Sequence, residues 1–287
     1  MKRLFTLLLL LCTSVSALAE ATQDAADSDT LQQVSAGDWQ FSLALGYGVL
    51  ENPRAKTDNI STYVLPSWYY YGERFYVENL TLGYSLYETD WISVDVQGQP
   101  NEDGIFFEFD GVGKLLLSDI MGFTPSREPI TRPSKAVEPP PAVERKISYL
   151  AGLSATWYTP AFDLTSGLFY DVTGVHNGYE WQLSAKKAFV WSWGAIGLEA
   201  GGVYKSAELV DYYYNARKEE FTRPIRLKPL EAATNWHVKA VVNVPLSDSL
   251  MLVATLKHTA LGDSIRDSVL ISADSYFAGF VGVSYQF

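Results

Sequence analysis

Hydrophobic and polar residues alternate along most of the chain after residue 37. In residues 38–49, DWQFSLALGYGV, large apolar side chains take every second position, with Gln, Ser, Ala and Gly between them. Residues 91–99, WISVDVQGQ, repeat the pattern, with three aliphatic side chains alternating with Ser, Asp and Gln. A period of two residues with one apolar face predicts β-strands.

Twelve segments of about nine to fourteen residues carry this pattern. Strands that cross a bilayer need about 9–11 residues, whereas strands of globular proteins usually have about five or six. The pattern is weakest in residues 104–117, and loss of that strand and a neighbour would leave ten. The twelve predicted strands are residues 38–49, 61–72, 74–87, 91–99, 104–117, 147–158, 162–173, 179–189, 193–205, 235–244, 249–259 and 274–287.

The connections between these segments alternate in length. Five are short: YGE, PNED, TPA, VWS and PLSD. The long ones are residues 50–60, 118–146, 206–234 and 260–273. Short periplasmic turns that alternate with long external loops are typical of transmembrane β-barrels. We therefore predict an all-β, antiparallel up-and-down barrel over residues 38–287, with a periplasmic or secreted β-sandwich as the alternative.

The first residues predict export. Residues 1–19 contain the basic pair Lys2-Arg3, an apolar run over residues 4–11 and a small-residue cleavage site at residues 17–19, as in a secretory signal peptide. A lipoprotein reading of Cys12 is disfavoured because Leu11 stands where a small residue is needed. Residues 20–37 are acidic and lack aromatic side chains, which predicts a disordered periplasmic leader.

Composition narrows the class further. Aromatic residues make up 14% of the chain, with 18 Tyr and 8 Trp, and the mean hydropathy is −0.01. An exported chain that is aromatic-rich and evenly amphipathic is typical of an outer-membrane barrel. Cys12, in the predicted signal peptide, is the only cysteine, so disulfides are not expected. The net charge of −11 argues against nucleic acid as a partner.

Candidate catalytic chemistry is sparse. The three histidines, His176, His237 and His258, do not have metal-ligand spacing and do not accompany a recognisable nucleophile motif. We therefore predict a protein that is not an enzyme and takes no cofactor or metal. A hydrolase that uses Ser and His at the barrel rim is the alternative.

Polar residues that alternate with the apolar rows are predicted to face the lumen. They either form the polar interior that any barrel needs or line a pore and set its selectivity. The predicted lumen-lining residues are Asp95, Gln97, Asp163, Asp171, Lys186, Glu199, His237, Lys239 and Asn243.

Three other segments carry predictions. Val281, Val283, Tyr285 and Phe287 form an apolar row on the final strand, which predicts both closure against the first strand and recognition by the barrel assembly machinery. Residues 123–146 are rich in proline and basic residues, which predicts a mobile external loop or a docking segment. The triplet Tyr212, Tyr213 and Tyr214 is either an interaction loop or part of an aromatic girdle.

Four stretches together resemble the MipA/OmpV family, the MltA-interacting proteins of Gram-negative outer membranes. They are YYYGERFYVENLTLGYSLY, YDVTGVHNGYE, DYYYNARKEE and the ending VGVSYQF, and the resemblance extends over residues 39–287. The family usually has Gly after the tyrosine triplet, where this chain has Asn215. The resemblance implies an outer-membrane scaffold for murein-remodelling enzymes, a lytic transglycosylase and a penicillin-binding protein. Other members are regarded as porin-like or adhesive.

Overall fold

The computed structural model describes residue 37 and residues 39–55, 57–108, 145–217, 220 and 229–287. Within these residues the chain forms one closed barrel of twelve antiparallel strands. Each strand pairs with its neighbours in sequence, and the first pairs with the twelfth. The predicted fold class and strand count are confirmed, whereas the predicted signal peptide and all but the last residue of the predicted leader lie outside the described residues.

The strands are β1 (Trp39–Leu50), β2 (Ile60–Tyr71), β3 (Phe75–Glu78), β4 (Thr81–Glu88), β5 (Ile92–Pro100), β6 (Tyr149–Tyr158), β7 (Asp163–Asp171), β8 (Tyr179–Trp191), β9 (Gly194–Lys205), β10 (Ala233–Pro245), β11 (Leu250–Ala260) and β12 (Ser275–Gln286). A 3-10 turn (Glu102–Gly104) precedes the helix α1 (Ile105–Glu108), and α2 (Ala207–Tyr214) and α3 (Asp263–Arg266) lie in later connections. Across the described ranges, the helices are all too short or too polar to cross a membrane.

The alternation along each strand separates two environments. On β1, Trp39, Phe41 and Leu45 are about half exposed on the outside of the barrel. The intervening Ser42 faces inward, where its hydroxyl lies 2.6 Å from that of Ser67. Apolar residues outside and polar residues inside are the arrangement that a barrel in lipid requires.

Two predicted strands differ from the structure, although the count does not. Residues 74–87 form two strands, β3 and β4, because the chain reverses at Asn79, which adopts a left-handed conformation with φ of 53°. Residues 105–108 of the predicted fifth strand form α1; residues 109–117 lie outside the described part of the chain. One gained and one lost strand therefore leave twelve.

The PNED connection was predicted as a periplasmic turn, and this prediction is wrong. Pro100 pairs with Tyr149, and the adjacent Leu150 pairs with Asp171, where the long connections emerge. We call this the outer end of the barrel, and the end with the short turns the inner end. The inner turn of this region comprises residues 89–91, closed by the N–H of Thr89, which donates to the Ile92 carbonyl (2.9 Å).

The short β3 leaves one side of β2 without a strand partner, within the described residues, beyond Trp68. Asn79 donates its N–H to the Trp68 carbonyl (2.8 Å) and accepts the Trp68 N–H on Oδ1 (3.1 Å). In an antiparallel strand, the backbone N–H and carbonyl groups of every second residue point toward the same neighbouring strand. The backbone groups of Pro66 and Val64 therefore point toward the open side, as those of Trp68 do. Pro66 has no N–H to leave unpaired. The Val64 N–H is accepted by Thr62 Oγ1 (3.2 Å), whose hydroxyl donates to the Val64 carbonyl (2.6 Å).

Asn79→Ala should weaken the barrel because alanine loses the side-chain acceptor and is strained at positive φ. We expect the free energy of unfolding to fall by about 1–3 kcal/mol. Urea unfolding of the refolded protein, followed by gel heat-modifiability, measures the change. Asn79→Asp keeps an acceptor and tolerates positive φ, so it should remain close to the unmodified chain; equal stability of the Ala variant would contradict the role of Asn79.

Candidate functional site

A row of charged side chains crosses five neighbouring strands on the inward face of the barrel. The residues that directly precede three of them on the same strands, Leu198, Val238 and Leu256, are about half exposed on the outside. Each member of the row is the direct cross-strand partner of the next, in the order Asp163, Lys186, Glu199, Lys239 and Lys257. The row therefore alternates in sign over most of its length, which limits its net field in the lumen.

A polar cavity lies beside this row. Glu199 Oε1 is 3.0 Å from His237 Nε2, and both side chains are largely shielded from water. Amide and hydroxyl side chains from β5 to β8 complete the lining of a cavity of about 190 Å³. A cavity of this size has room for a few water molecules, and its polarity is what the interior of any barrel needs.

The other predicted lumen residues on β5 and β10 lie on the inward face as well. Asp95 Oδ2 accepts a long hydrogen bond from the Ser93 hydroxyl (3.4 Å), and Gln97 Oε1 accepts one from Ser154 (3.2 Å). Asn243 lies near the inner end, between Ala195 and Val253 on the neighbouring strands. Asp95 has no ionic partner among the described residues, and the Asn243 amide is uncharged.

Asp171 has a different setting from the other predicted lumen residues. Its carboxylate accepts backbone N–H groups of Thr173 (2.9 Å), His176 (2.7 Å) and Asn177 (2.9 Å) in the connection after β7. Asn177 adopts a positive φ of 54°, which asparagine tolerates. Asp171 therefore organises this connection at the outer end.

The outer end of the barrel is closed by a packed cap. We define the cap as residues 51–55, 101–108, 206–217 and 261–274, which come from four separate connections. Their apolar side chains form one core with Tyr276 of β12, and Leu209, Val210 and Ile265 have no exposed surface. Arg54 stacks on the Phe107 ring at 4.4 Å. A core of this kind has the packing of a protein interior rather than that of a loose loop.

The predicted interaction triplet is part of this cap. Tyr213 and Tyr214 are fully buried in α2, and Tyr212 is half-buried with its ring 4.9 Å from that of Tyr213. The Tyr213 hydroxyl donates to the Lys146 carbonyl (3.0 Å). In this arrangement two of the three tyrosines are internal packing residues and are not available to a partner.

A buried network around Lys205, at the end of β9, joins the cap to the wall. Lys205 is 5% exposed, and its ammonium donates to Asp103 Oδ2 (2.5 Å) and Glu180 Oε1 (3.1 Å). The Tyr214 hydroxyl donates to Asp103 Oδ1 (2.6 Å), and the Asn101 side chain donates to Glu180 (2.8 Å). Buried charges are tolerated only when paired and hydrogen-bonded in this way. We call this the Lys205 network.

Glu102, the residue before Asp103, makes a second link to the wall. Its Oε2 lies 2.9 Å from Lys257 Nζ, and the charge of Lys257 lowers the pKa of Glu102. Its side chain is 67% exposed, so this link is more weakly held than the Lys205 network. The Glu102-Asp103 pair thus anchors the cap to two strands.

Ser148, His176 and Asp171 come together beneath α2 and superficially resemble a catalytic triad. His176 Nε2 is 3.0 Å from Ser148 Oγ, but Nδ1 accepts the Gly178 N–H (2.9 Å) and lies 4.0 Å from the Asp171 carboxylate. A ring whose Nδ1 is an acceptor carries its proton on Nε2, so His176 donates to Ser148 and does not remove its proton. This geometry supports a structural role.

The other two histidines lie apart from this group. His237 pairs with Glu199, and His258 packs on Phe277 with ring centroids 4.5 Å apart. In the part of the chain that the structure describes, His, Cys, Asp and Glu side chains do not gather in a group of three or more suited to a metal ion.

Comparison with known proteins identifies relatives along most of the chain. The family model "MltA-interacting protein MipA" matches residues 41–287. The MltA-interacting protein of Escherichia coli (strain K12) is 22% identical over 260 residues, which cover 88% of this chain and 93% of that protein. "Putative outer membrane protein YiaT" of the same strain is 21% identical over 259 residues, which cover 86% and 91%.

Solved outer-membrane barrels are similar to this chain, with low TM-scores and low sequence identity. A structure of Salmonella typhi OmpF in complex with daunomycin covers 88% of this chain and 98% of its own, with 8% identity and a TM-score of 0.35. The Ralstonia pickettii toluene transporter TbuX covers 88% and 90%, with 10% identity and a TM-score of 0.33.

Lys205→Met should destabilise the cap because it leaves Asp103 and Glu180 buried without a counter-charge. We expect the free energy of unfolding to fall by about 3–5 kcal/mol. Urea unfolding and protease sensitivity of the outer connections measure the loss. Lys257→Met is the matched control, since its partner Glu102 is largely exposed and its loss should cost less than about 1 kcal/mol.

Adding Asp103→Asn and Glu180→Gln to Lys205→Met should restore part of the stability, because the buried negative charges are then gone. Equal effects of Lys205→Met and Lys257→Met would contradict the central role of the Lys205 network.

Acidification should weaken the outer end of the barrel through His176. Burial lowers the pKa of His176 and outweighs the opposing effect of the Asp171 carboxylate. A histidine whose folded pKa lies below its unfolded value, about 6.5, holds fewer protons when folded, so stability is present above that pH and is lost as the pH falls. Urea unfolding between about pH 7 and pH 5 should show a smaller loss in His176→Gln than in the unmodified chain. His258→Gln is the control, and an identical pH profile in all three proteins would exclude this contribution.

Proposed function

The chain belongs to the MltA-interacting protein MipA family, and on that premise we propose that it is a non-enzymatic outer-membrane scaffold for murein-remodelling enzymes. The partners would be a lytic transglycosylase and a penicillin-binding protein, as the family resemblance implies. One relative, from Escherichia coli (strain K12), is named MltA-interacting protein. The barrel would hold such enzymes at the periplasmic face of the outer membrane.

The closed outer end is the observation that most favours a scaffold over a channel. The cap core, with Leu209, Val210, Tyr213 and Tyr214 fully buried, lies at the outer mouth of the barrel and is tied to the inward face of the wall through Lys205. A core in this position would obstruct solute flow along the lumen unless the cap moves. A barrel that is sealed at one end and exposes short turns at the other is suited to binding on the turn side.

Assembly of the barrel belongs to the same proposal. Val281, Val283 and Tyr285 are exposed on the outer face of β12, and Phe287 is 76% exposed. We infer that this row is recognised by the barrel assembly machinery. The pairing of β12 with β1 supports its second predicted role, closure of the wall.

A porin-like channel is the second candidate, favoured by the charged row from Asp163 to Lys257 on the inward face. In that case the cap acts as a gate, and the row sets the preference for ions. Planar-bilayer conductance of the refolded protein tests this candidate. Discrete steps that change in selectivity with Lys239→Ala would support it, whereas a folded barrel that carries no current would oppose it.

The scaffold proposal predicts saturable binding of a purified lytic transglycosylase to the immobilised, refolded chain. Deletion of residues 20–37, or replacement of the inner turns by Gly-Ser sequences of equal length, should weaken the binding, because these parts lie on the proposed periplasmic side. Surface plasmon resonance measures the affinity. A refolded porin on the same surface is the control, and absence of binding to the chain above that control would remove the proposal.

A further inference from the structure

Within the described residues, the cap lies at the outer end of the lumen, and the inner end carries only short turns. On β6, the inward residues change from Leu150, with 0% exposure near the outer end, to Tyr158, with 41% exposure at the inner end. On β8, Glu180 is buried whereas Lys186 and Ala188 are exposed. Water therefore reaches inward side chains of these two strands below the cap.

The two halves of the lumen wall differ in charge. Strands β1 to β7 contain no Lys or Arg, whereas β8 to β11 carry all the lysines of the wall. On the lysine side, Glu180 and Glu199 each lie beside a lysine. On the other side, Glu78 and Asp95 have no basic residue on their own or neighbouring strands; Arg74 lies in the inner turn before β3. This half of the lumen is therefore negative.

Tyrosine rings cover the same negative half. The ring of Tyr71 lies 6.0 Å from that of Tyr69 and 6.2 Å from that of Tyr76, and its hydroxyl donates to Glu78. Gly83 makes this arrangement possible, because a Cβ at that position would lie 1.9 Å from the Tyr76 ring. The Tyr158 hydroxyl donates to Ser93 (3.3 Å), which in turn donates to Asp95.

Aromatic faces beside carboxylates attract ammonium and guanidinium groups through both cation–π and ionic contacts. We propose that this surface, which we call the tyrosine–carboxylate wall, docks a basic segment of a periplasmic partner that enters the lumen from the inner end. The wall consists of Tyr69, Tyr71, Tyr76, Glu78, Asp95 and Tyr158. The inference rests on the proposed scaffold function and names its docking surface.

Insertion of a segment also supplies contact area that the turns lack. The inner connections contain only two to four residues each, whereas a stable protein interface buries about 800 Å² on each partner. A partner that places several Lys or Arg side chains along the tyrosine–carboxylate wall buries the lumen surface as well as the surface of the turns, which increases the contact area. The charge of the wall selects a basic segment and disfavours an acidic one.

A dansylated tetralysine peptide tests the tyrosine–carboxylate wall directly. Its binding to the refolded full-length chain is measured by fluorescence anisotropy at low salt, after heat-modifiability has shown that each variant is folded. We expect the double variant Glu78→Gln/Asp95→Asn to bind the peptide about tenfold more weakly. The control Asp90→Asn/Asp248→Asn removes two charges from the inner turns and should change binding less than about twofold.

The aromatic part of the wall has its own pair of variants. Tyr76→Leu should weaken peptide binding because it removes a π face, whereas Tyr76→Phe keeps the face and should bind as the unmodified chain does. Equal peptide binding by the unmodified chain and the Glu78→Gln/Asp95→Asn variant would overturn the proposal. So would an equal loss in the two double variants, because the effect would then be one of net charge alone.

A second arm uses the purified lytic transglycosylase with the same variants. Parallel loss of transglycosylase and peptide binding in Glu78→Gln/Asp95→Asn supports docking in the lumen. Undiminished transglycosylase binding would overturn the docking surface and leave the scaffold function standing. Peptide binding that depends on the wall, together with no transglycosylase binding by the unmodified chain, would remove the scaffold function and leave the wall as a site for cationic segments.

Discussion

Backbone amide and carbonyl groups cannot remain unpaired in hydrocarbon, and this constraint governs the whole molecule. Each unpaired group costs several kcal/mol in lipid, so strands can cross a membrane only in a closed sheet. The pairing of β12 with β1 closes the sheet. Where β3 is too short to cover β2, Asn79 pairs with Trp68, Thr62 pairs with Val64, and Pro66 has no N–H to leave free.

Closure of the sheet places polar side chains in a confined space, and the chain fills the two ends of that space differently. At the outer end, four connections bury a hydrophobic core that is tied to the wall by Lys205. At the inner end, the connections are short turns, and tyrosines and carboxylates of β2 to β6 line one side of the lumen. The barrel is therefore chemically asymmetric both along its axis and across it.

The sequence predicts the features that depend on local periodicity. Strands such as β1 and β5 are evident because alternation is a property of consecutive residues, and the inward rows follow directly from it. The reversal at Asn79 is hidden because apolar alternation continues on both sides of it. Residues 105–107, Ile-Phe-Phe, look like strand residues since the same apolar character serves equally well in the cap.

The parts of the site that sequence does not predict arise from contacts between distant segments. Nothing near Lys205 in sequence indicates that its partner is Asp103, and nothing near Tyr214 distinguishes a buried residue from an exposed one. The charge difference between the two halves of the lumen, by contrast, can be found from the sequence. The absence of Lys and Arg from β1 to β7 is visible in the sequence once the strands are assigned, so the charge asymmetry was available from local information.

The Lys205 network has a consequence for how the molecule is made. Asp103 is separated by 102 residues from Lys205 and by 111 from Tyr214, so these contacts require β5 to β9 to be in place first. Contacts of such long sequence separation form late. We therefore expect the cap to be among the last parts of the molecule to form, after the strands that carry its partners have paired.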